Sequence, residues 1–184
     1  MLQTDVLKEQ LQNGIFADRL ADIYVDTAKI PYQTTRYINA ITTYEKHFGT
    51  DGVEIYSAPG RSEIGGNHTD HQHGEVLAAS INNDAIAIVK ALDEPTVKVV
   101  SDGYDLITIS LDNLTRKEEE EGTTISLIKG VLAGFVEHGH KFGGFQAYIT
   151  SDVLIGAGLS SSAAFETIIG TIISGLYNDM TISP

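Results

Sequence analysis

The chain has 184 residues, a formal net charge of −13, twelve Lys and Arg in no cluster, and no cysteine. That length fits one domain with a small appendage, and burial of about two thirds of the unfolded surface gives it a core without staples. The lack of cysteine excludes disulfides, thiolate metal sites and a cysteine nucleophile, and the acidity argues against a nucleic-acid partner, which would need a basic face. No apolar run reaches the ~18 residues that span a bilayer. The opening MLQTDVLKEQLQNG has no basic flank followed by an apolar stretch, so no signal peptide is expected and a cytoplasmic location is the default.

In chain order, the first fifty residues read as amphipathic helix. TDVLKEQLQNG has a possible cap at Thr4 and a stop at Gly14. Pro31 separates it from QTTRYINAITTYEKHFG, where Tyr37, Ile38, Ile41, Tyr44 and Phe48 recur at helical spacing. VEIYSA (53–58) reads as a strand, followed by a glycine-rich loop to Gly74. EVLAASINNDAIAIVKA gives two apolar stretches around Asn82–Asn83–Asp84, a turn or bulge signal, and TVKVVSDGYDLITISL reads as a hairpin turning at Ser101–Asp102–Gly103. KEEEEG (117–122) reads as a solvated charge run. A helix follows with Ile125, Ile128, Leu132, Phe135 and Val136 on one face, and His138 and His140 fall near its C-terminal end, where histidine is favourable. GFQAYITSD alternates as a strand with Phe145, Ala147 and Ile149 on one side; a last helix carries Ile168, Ile169, Ile172, Ile173 and Leu176. The layout is α+β, with a helical extension over 1–50 and the main body over 51–184.

Two stretches carry chemistry. In GAGLSSSAAFE (156–166), Gly156 and Gly158 allow positive φ and close backbone approach, and Ser160, Ser161 or Ser162 can cap the following helix. The first amides of a helix lack internal partners and carry about half a positive charge between them, which suits a phosphate. The alternative is a plain capped helix after a tight turn. The patterns GxxxxGK[ST], GxGxxG and GxSxG are all absent. The other stretch, GRSEIGGNHTDHQHG (60–74), holds Arg61, Glu63, Asn67, His68, Asp70, His71 and His73. It reads as a metal loop, as a polyol site with mixed donors and acceptors, or as a polar surface loop. Arg61 could pair with Glu63 or meet a transferring phosphoryl group.

Taken together, these stretches resemble the GHMP small-molecule kinases and, within them, the galactokinase family; the resemblance covers roughly residues 52–178. It implies transfer of the ATP γ-phosphoryl group to the C1 hydroxyl of galactose, with Mg2+. It implies that Gly156, Ala157, Gly158, Leu159, Ser160, Ser161 and Ser162 wrap the nucleotide phosphates, with Ser162 near the metal. Arg61 matches the arginine near the reacting groups, and Asn67, His68 and Asp70 match positions that bind sugar hydroxyls. The implied fold is the N-terminal lobe of the GHMP kinases: a mixed sheet with helices on one side and a left-handed βαβ unit, plus the helical N-terminal extension. Departures from the family pattern are Asn67 for a glutamate, Gly65 for an isoleucine, His71 for a tyrosine and Leu154 for a proline.

The family's catalytic aspartate and second lobe would lie beyond Pro184. The expectation is therefore a lobe of a longer enzyme, inactive alone, whose apolar inter-lobe face drives self-association. Competing readings are a non-catalytic sugar- and ATP-sensing protein, a GHMP kinase for another sugar, and a metal-dependent hydrolase using His68, His71 and His73.

Overall fold

The structure is a computed structural model and describes residues 1–66, 73–154 and 158–182. Three helices open the chain: α1 (Thr4–Gln12), α2 (Ala17–Tyr24) and α3 (Ile30–Phe48). A two-residue strand β1 (Leu2–Gln3) precedes them. The rest is β2 (Gly52–Gly65), β3 (Leu77–Leu92), β4 (Thr96–Ser101), β5 (Ile107–Ser110), α4 (Thr124–Glu137), β6 (Gly144–Ser151) and α5 (Ser161–Asn178). The sheet order is β1-β2-β3-β6-β4-β5. Among the described residues its one parallel pair, β4 with β6, is joined through β5 and α4, and this crossover inserts β6 into the middle of the sheet.

Period-two alternation divides the central strands between two cores. On β3, Ala85, Ala87 and Val89 face α4 and α5, while Ile86 and Ile88 face α1–α3. On β6, Phe145, Ala147 and Ile149 join the first core, as their spacing predicts. Tyr148 joins the second, and the Gln146 amide donates to the Tyr44 hydroxyl at 2.7 Å. Ile168, Ile169, Ile172 and Ile173 of α5 are fully enclosed; each such side chain contributes about 2 kcal/mol of burial. The main body's own helices thus cover one face, and the N-terminal helices cover the other.

Several local readings differ from the sequence expectation. Strand β2 runs through Arg61 and Glu63 to Gly65, so both residues lie on a strand rather than in the loop. The bulge alternative holds on β3: pairing jumps from Pro59↔Asp84 to Arg61↔Ser80, leaving Ile81–Asn83 opposite Gly60. Thr4 is not the cap of α1; Gln3 holds that position and Thr4 is buried in the first turn. Pro31 does mark a boundary, as expected: it sits inside the first turn of α3, where its missing N–H costs nothing, and the helix starts there rather than at Gln33. Val136 falls outside the buried stripe of α4 and is exposed. One glutamate of the charge run is not merely solvated: Glu120 binds the buried Lys129 ammonium at 2.7 and 2.8 Å.

Candidate functional site

The site is built where β2, the end of β6 and the start of α5 converge. Gly60 is the closest approach. A Cβ there would lie 2.9 and 3.0 Å from the Val153 methyls and 3.0 Å from the Leu159 carbonyl oxygen. Without it, the chain on either side of the serine turn packs directly on β2. The Arg61 amide then donates to the Leu159 carbonyl at 3.3 Å, and Arg61 Nε donates to Ser160 Oγ at 3.0 Å. Two stretches about a hundred residues apart are thereby joined by backbone and side chain.

Ser160 occupies the N-cap position of α5 with φ 57° and ψ 51°, a left-handed conformation that costs a non-glycine residue about 1 kcal/mol. The sequence suggested a serine cap. Among the described residues this helix has no side-chain cap, and Ser160 turns its hydroxyl to Arg61. The first helical bond runs from the Ala164 amide to the Ser160 carbonyl at 2.9 Å. The amides of Ser161, Ser162 and Ala163 therefore open an 18-residue helix with no acidic residue in its first turn. Ser162 and Ala163 are exposed and Ser161 is half-buried. Preorganised donors with a helix dipole behind them and a guanidinium beside them can hold an oxyanion without reorganisation.

A cavity of about 490 Å³ adjoins this helix end. Asp102 and Tyr104 of the β4–β5 turn, Leu127 of α4, and Ser161, Ser162 and Phe165 of α5 are among its walls. Its size and largely apolar wall suit a small organic ligand whose charged end reaches the turn. Ser161 and Ser162 offer hydroxyls and Asp102 a carboxylate, hard oxygen donors of the kind that Mg2+ accepts when phosphates carry most of its coordination. Among the described residues no three His, Cys, Asp or Glu side chains gather into a metal site.

Of the residues singled out in the sequence, Arg61, Leu159, Ser160, Ser161 and Ser162 meet here, with Gly158 exposed at φ +71°. Asn67, His68, Asp70, His71, Gly156 and Ala157 lie outside the described residues. In the described chain on either side, Gly65 pairs with Leu77 and Gly66 lies against Glu75 and Val76.

A buried polar cluster beside the turn was not read from the sequence. Arg36 of α3 donates through Nη1 to Asp84 Oδ1 at 2.6 Å and lies 3.3 Å from Asp152 Oδ2. Its Nη2 reaches the Asp84 carbonyl at 2.8 Å. The Tyr24 and Ser57 hydroxyls donate to Asp84 Oδ2 at 2.9 and 2.5 Å. Burial works against the charge on Arg36, and the adjacent Asp84 carboxylate more than restores it. Burial also pushes the Tyr37 phenol up to about 12. The sequence did offer a cue: Arg36 sits on the apolar stripe of α3, and Asp84 heads an apolar run.

Comparison with known proteins places both stretches. The galactokinase galactose-binding signature matches residues 42–91, and the GHMP kinases N terminal domain matches residues 126–183. A galactokinase of Pyrococcus furiosus is 40% identical over 69% of this chain, and one of Enterococcus faecalis is 35% identical over 71%. Each match covers 34% of the relative, so the chain corresponds to about a third of their length. The crystal structure of Lactococcus lactis galactokinase complexed with galactose superposes with a TM-score of 0.68 at 26% identity, covering 77% of this chain and 37% of that one. Methanococcus jannaschii mevalonate kinase shares the fold, with a TM-score of 0.57 at 18% identity over 69% of this chain and 41% of its own. By its fold and its two matched signatures, the chain is similar to the GHMP kinases, and within them to the galactokinases, over the N-terminal third of those proteins.

Proposed function

We propose that this chain is the N-terminal lobe of a sugar kinase that transfers the γ-phosphoryl group of ATP to the C1 hydroxyl of galactose. The observation that supports this most is the Arg61–Ser160 contact at 3.0 Å. It places a guanidinium from the galactose-binding signature against the uncapped helix end that suits polyphosphate. In this reading the amides of Ser161–Ala163 hold the phosphates and the adjoining cavity takes the nucleoside. Arg61 offsets charge that develops on the transferred group. Asn67, His68 and Asp70 bind the sugar hydroxyls, and an aspartate beyond Pro184 accepts the proton of the attacking hydroxyl. Mg2+, when bound with the nucleotide near Ser162, would neutralise phosphate charge.

With half of the cleft on a second lobe, the chain alone binds nucleotide but turns nothing over, because phosphoryl transfer depends on positioning from both sides. Ile64, Leu77 and Leu154 are exposed apolar side chains, and in this reading the second lobe would cover them. Light scattering of the isolated chain should show association that grows with concentration; a monomer throughout contradicts this part. The whole reading is tested with the product of the longer gene, incubated with ATP, magnesium and a panel of hexoses. Galactose 1-phosphate seen by phosphorus NMR supports it. Phosphorylation of a different hexose removes galactose and keeps the kinase; sugar binding with no turnover at all favours a sensor.

A further inference from the structure

The charge cluster around Arg36 has no part in the reading above, yet it sits at the root of the serine turn. One guanidinium gathers acceptors from separate strand ends. On β3 it takes the Asp84 carboxylate at 2.6 Å and the Asp84 carbonyl at 2.8 Å; at the end of β6 it lies 3.4 Å from the Thr150 carbonyl and 3.3 Å from Asp152. The Asp152 amide also donates to the Asp84 carbonyl at 2.9 Å, and the Tyr32 hydroxyl of α3 donates to Asp152 Oδ1 at 3.0 Å. The next residue, Val153, is buried against Gly60, and Leu159 returns to the same glycine at the far side of the turn.

We infer that Arg36, delivered by the N-terminal helix α3, is a positioning residue for the phosphate turn. It fixes Asp152, and through the neighbouring Val153 it fixes the packing on Gly60 against which Leu159, next to Ser160, also sits. A planar fork is suited to this task, since it holds several acceptors in one plane; a lysine ammonium offers a point charge without that geometry. The N-terminal helices, which lie on the opposite face of the sheet from α5, thereby set the geometry of the helix end. This inference rests on the reading of that end as a polyphosphate site.

The test measures affinity for a non-hydrolysable ATP analogue by calorimetry, on the full 184-residue chain, at a fixed interval below the melting point of each variant. Arg36→Lys and Asp152→Asn should each weaken binding about tenfold, a loss of about 1.4 kcal/mol. Asp152 is a quarter exposed, so its amide variant tests the idea even if Arg36→Lys folds poorly. The core variant Ile172→Ala is the matched control: it should lower the melting point and leave affinity unchanged. Wild-type affinity in both Arg36→Lys and Asp152→Asn overturns the inference, as does an equal loss in Ile172→Ala. If the unaltered chain binds no analogue, the polyphosphate reading itself fails and carries this inference with it.

Discussion

Removing the Asp84 carboxylate should be among the most damaging single changes to this chain. Asp84→Asn keeps the shape but takes away the charge that faces Arg36 at 2.6 Å and presents an amide N–H to groups that are themselves donors, Tyr24, Ser57 or Arg36. The Arg36 side chain is only 7% exposed, so water cannot replace the lost partner. Breaking a buried pair in this way costs about 3–5 kcal/mol. The Asp84 carbonyl and Asp152 remain as acceptors for Arg36, which puts the loss at the lower end, about 3 kcal/mol. For a domain of this size that corresponds to a melting point lower by about 6–12 °C. Asp152→Asn, at a quarter-exposed position, should cost well under half as much. Thermal unfolding followed by circular dichroism and by calorimetry measures both. An Asp84→Asn melting point within two or three degrees of the parent, by order of magnitude from the same relation, would refute the claim that this pair is buried and coupled.

Two further outcomes follow from the geometry. Gly60→Ala places a methyl against Val153 and the Leu159 carbonyl. It should cost about 1–3 kcal/mol as overpacking and weaken binding of the ATP analogue, which denaturant titration and calorimetry read separately. At alkaline pH, the phenols of Tyr37, Tyr44 and Tyr148 are each pushed up to about 12 from an ordinary 10, chiefly by burial, with Asp102 also raising Tyr148. The folded state holds these protons longer than the unfolded state does. Stability from this source is complete below about pH 10 and is lost as pH rises toward 12. Phenolate absorbance should therefore lag in the folded protein and rise together with loss of the circular dichroism signal; early titration of most tyrosines in a still-folded chain contradicts it.

The architecture was legible where periodicity and burial agree. The isoleucines of α5 and the Phe145–Ala147–Ile149 alternation on β6 report their own faces, because a buried stripe or face leaves a fixed repeat in the sequence. The serine turn was legible for a different reason: glycines followed by hydroxyl residues and an apolar run mark a helix start whatever the surroundings. What the sequence hid depends on distant partners. Pro59 and Gly60 look like the start of a loop, yet β2 continues through them, because Gly60 is needed for contact with Val153 and Leu159 rather than for a turn. Ser160, Ser161 and Ser162 all read as candidate caps, but Ser160 holds the cap position and its hydroxyl is taken by an arginine 99 residues earlier. Arg36 and Asp84 are 48 residues apart on different elements. No local repeat records that two buried charges will meet.

The central claim is that the open start of α5, beside Arg61, receives the phosphates of a nucleotide. A crystal structure of the chain with a non-hydrolysable ATP analogue tests it most directly. The account requires phosphate oxygens within hydrogen-bond distance of the Ser161, Ser162 or Ala163 amides, with the nucleoside in the adjoining cavity. Analogue bound elsewhere, while that helix start is covered by apolar side chains, would contradict it.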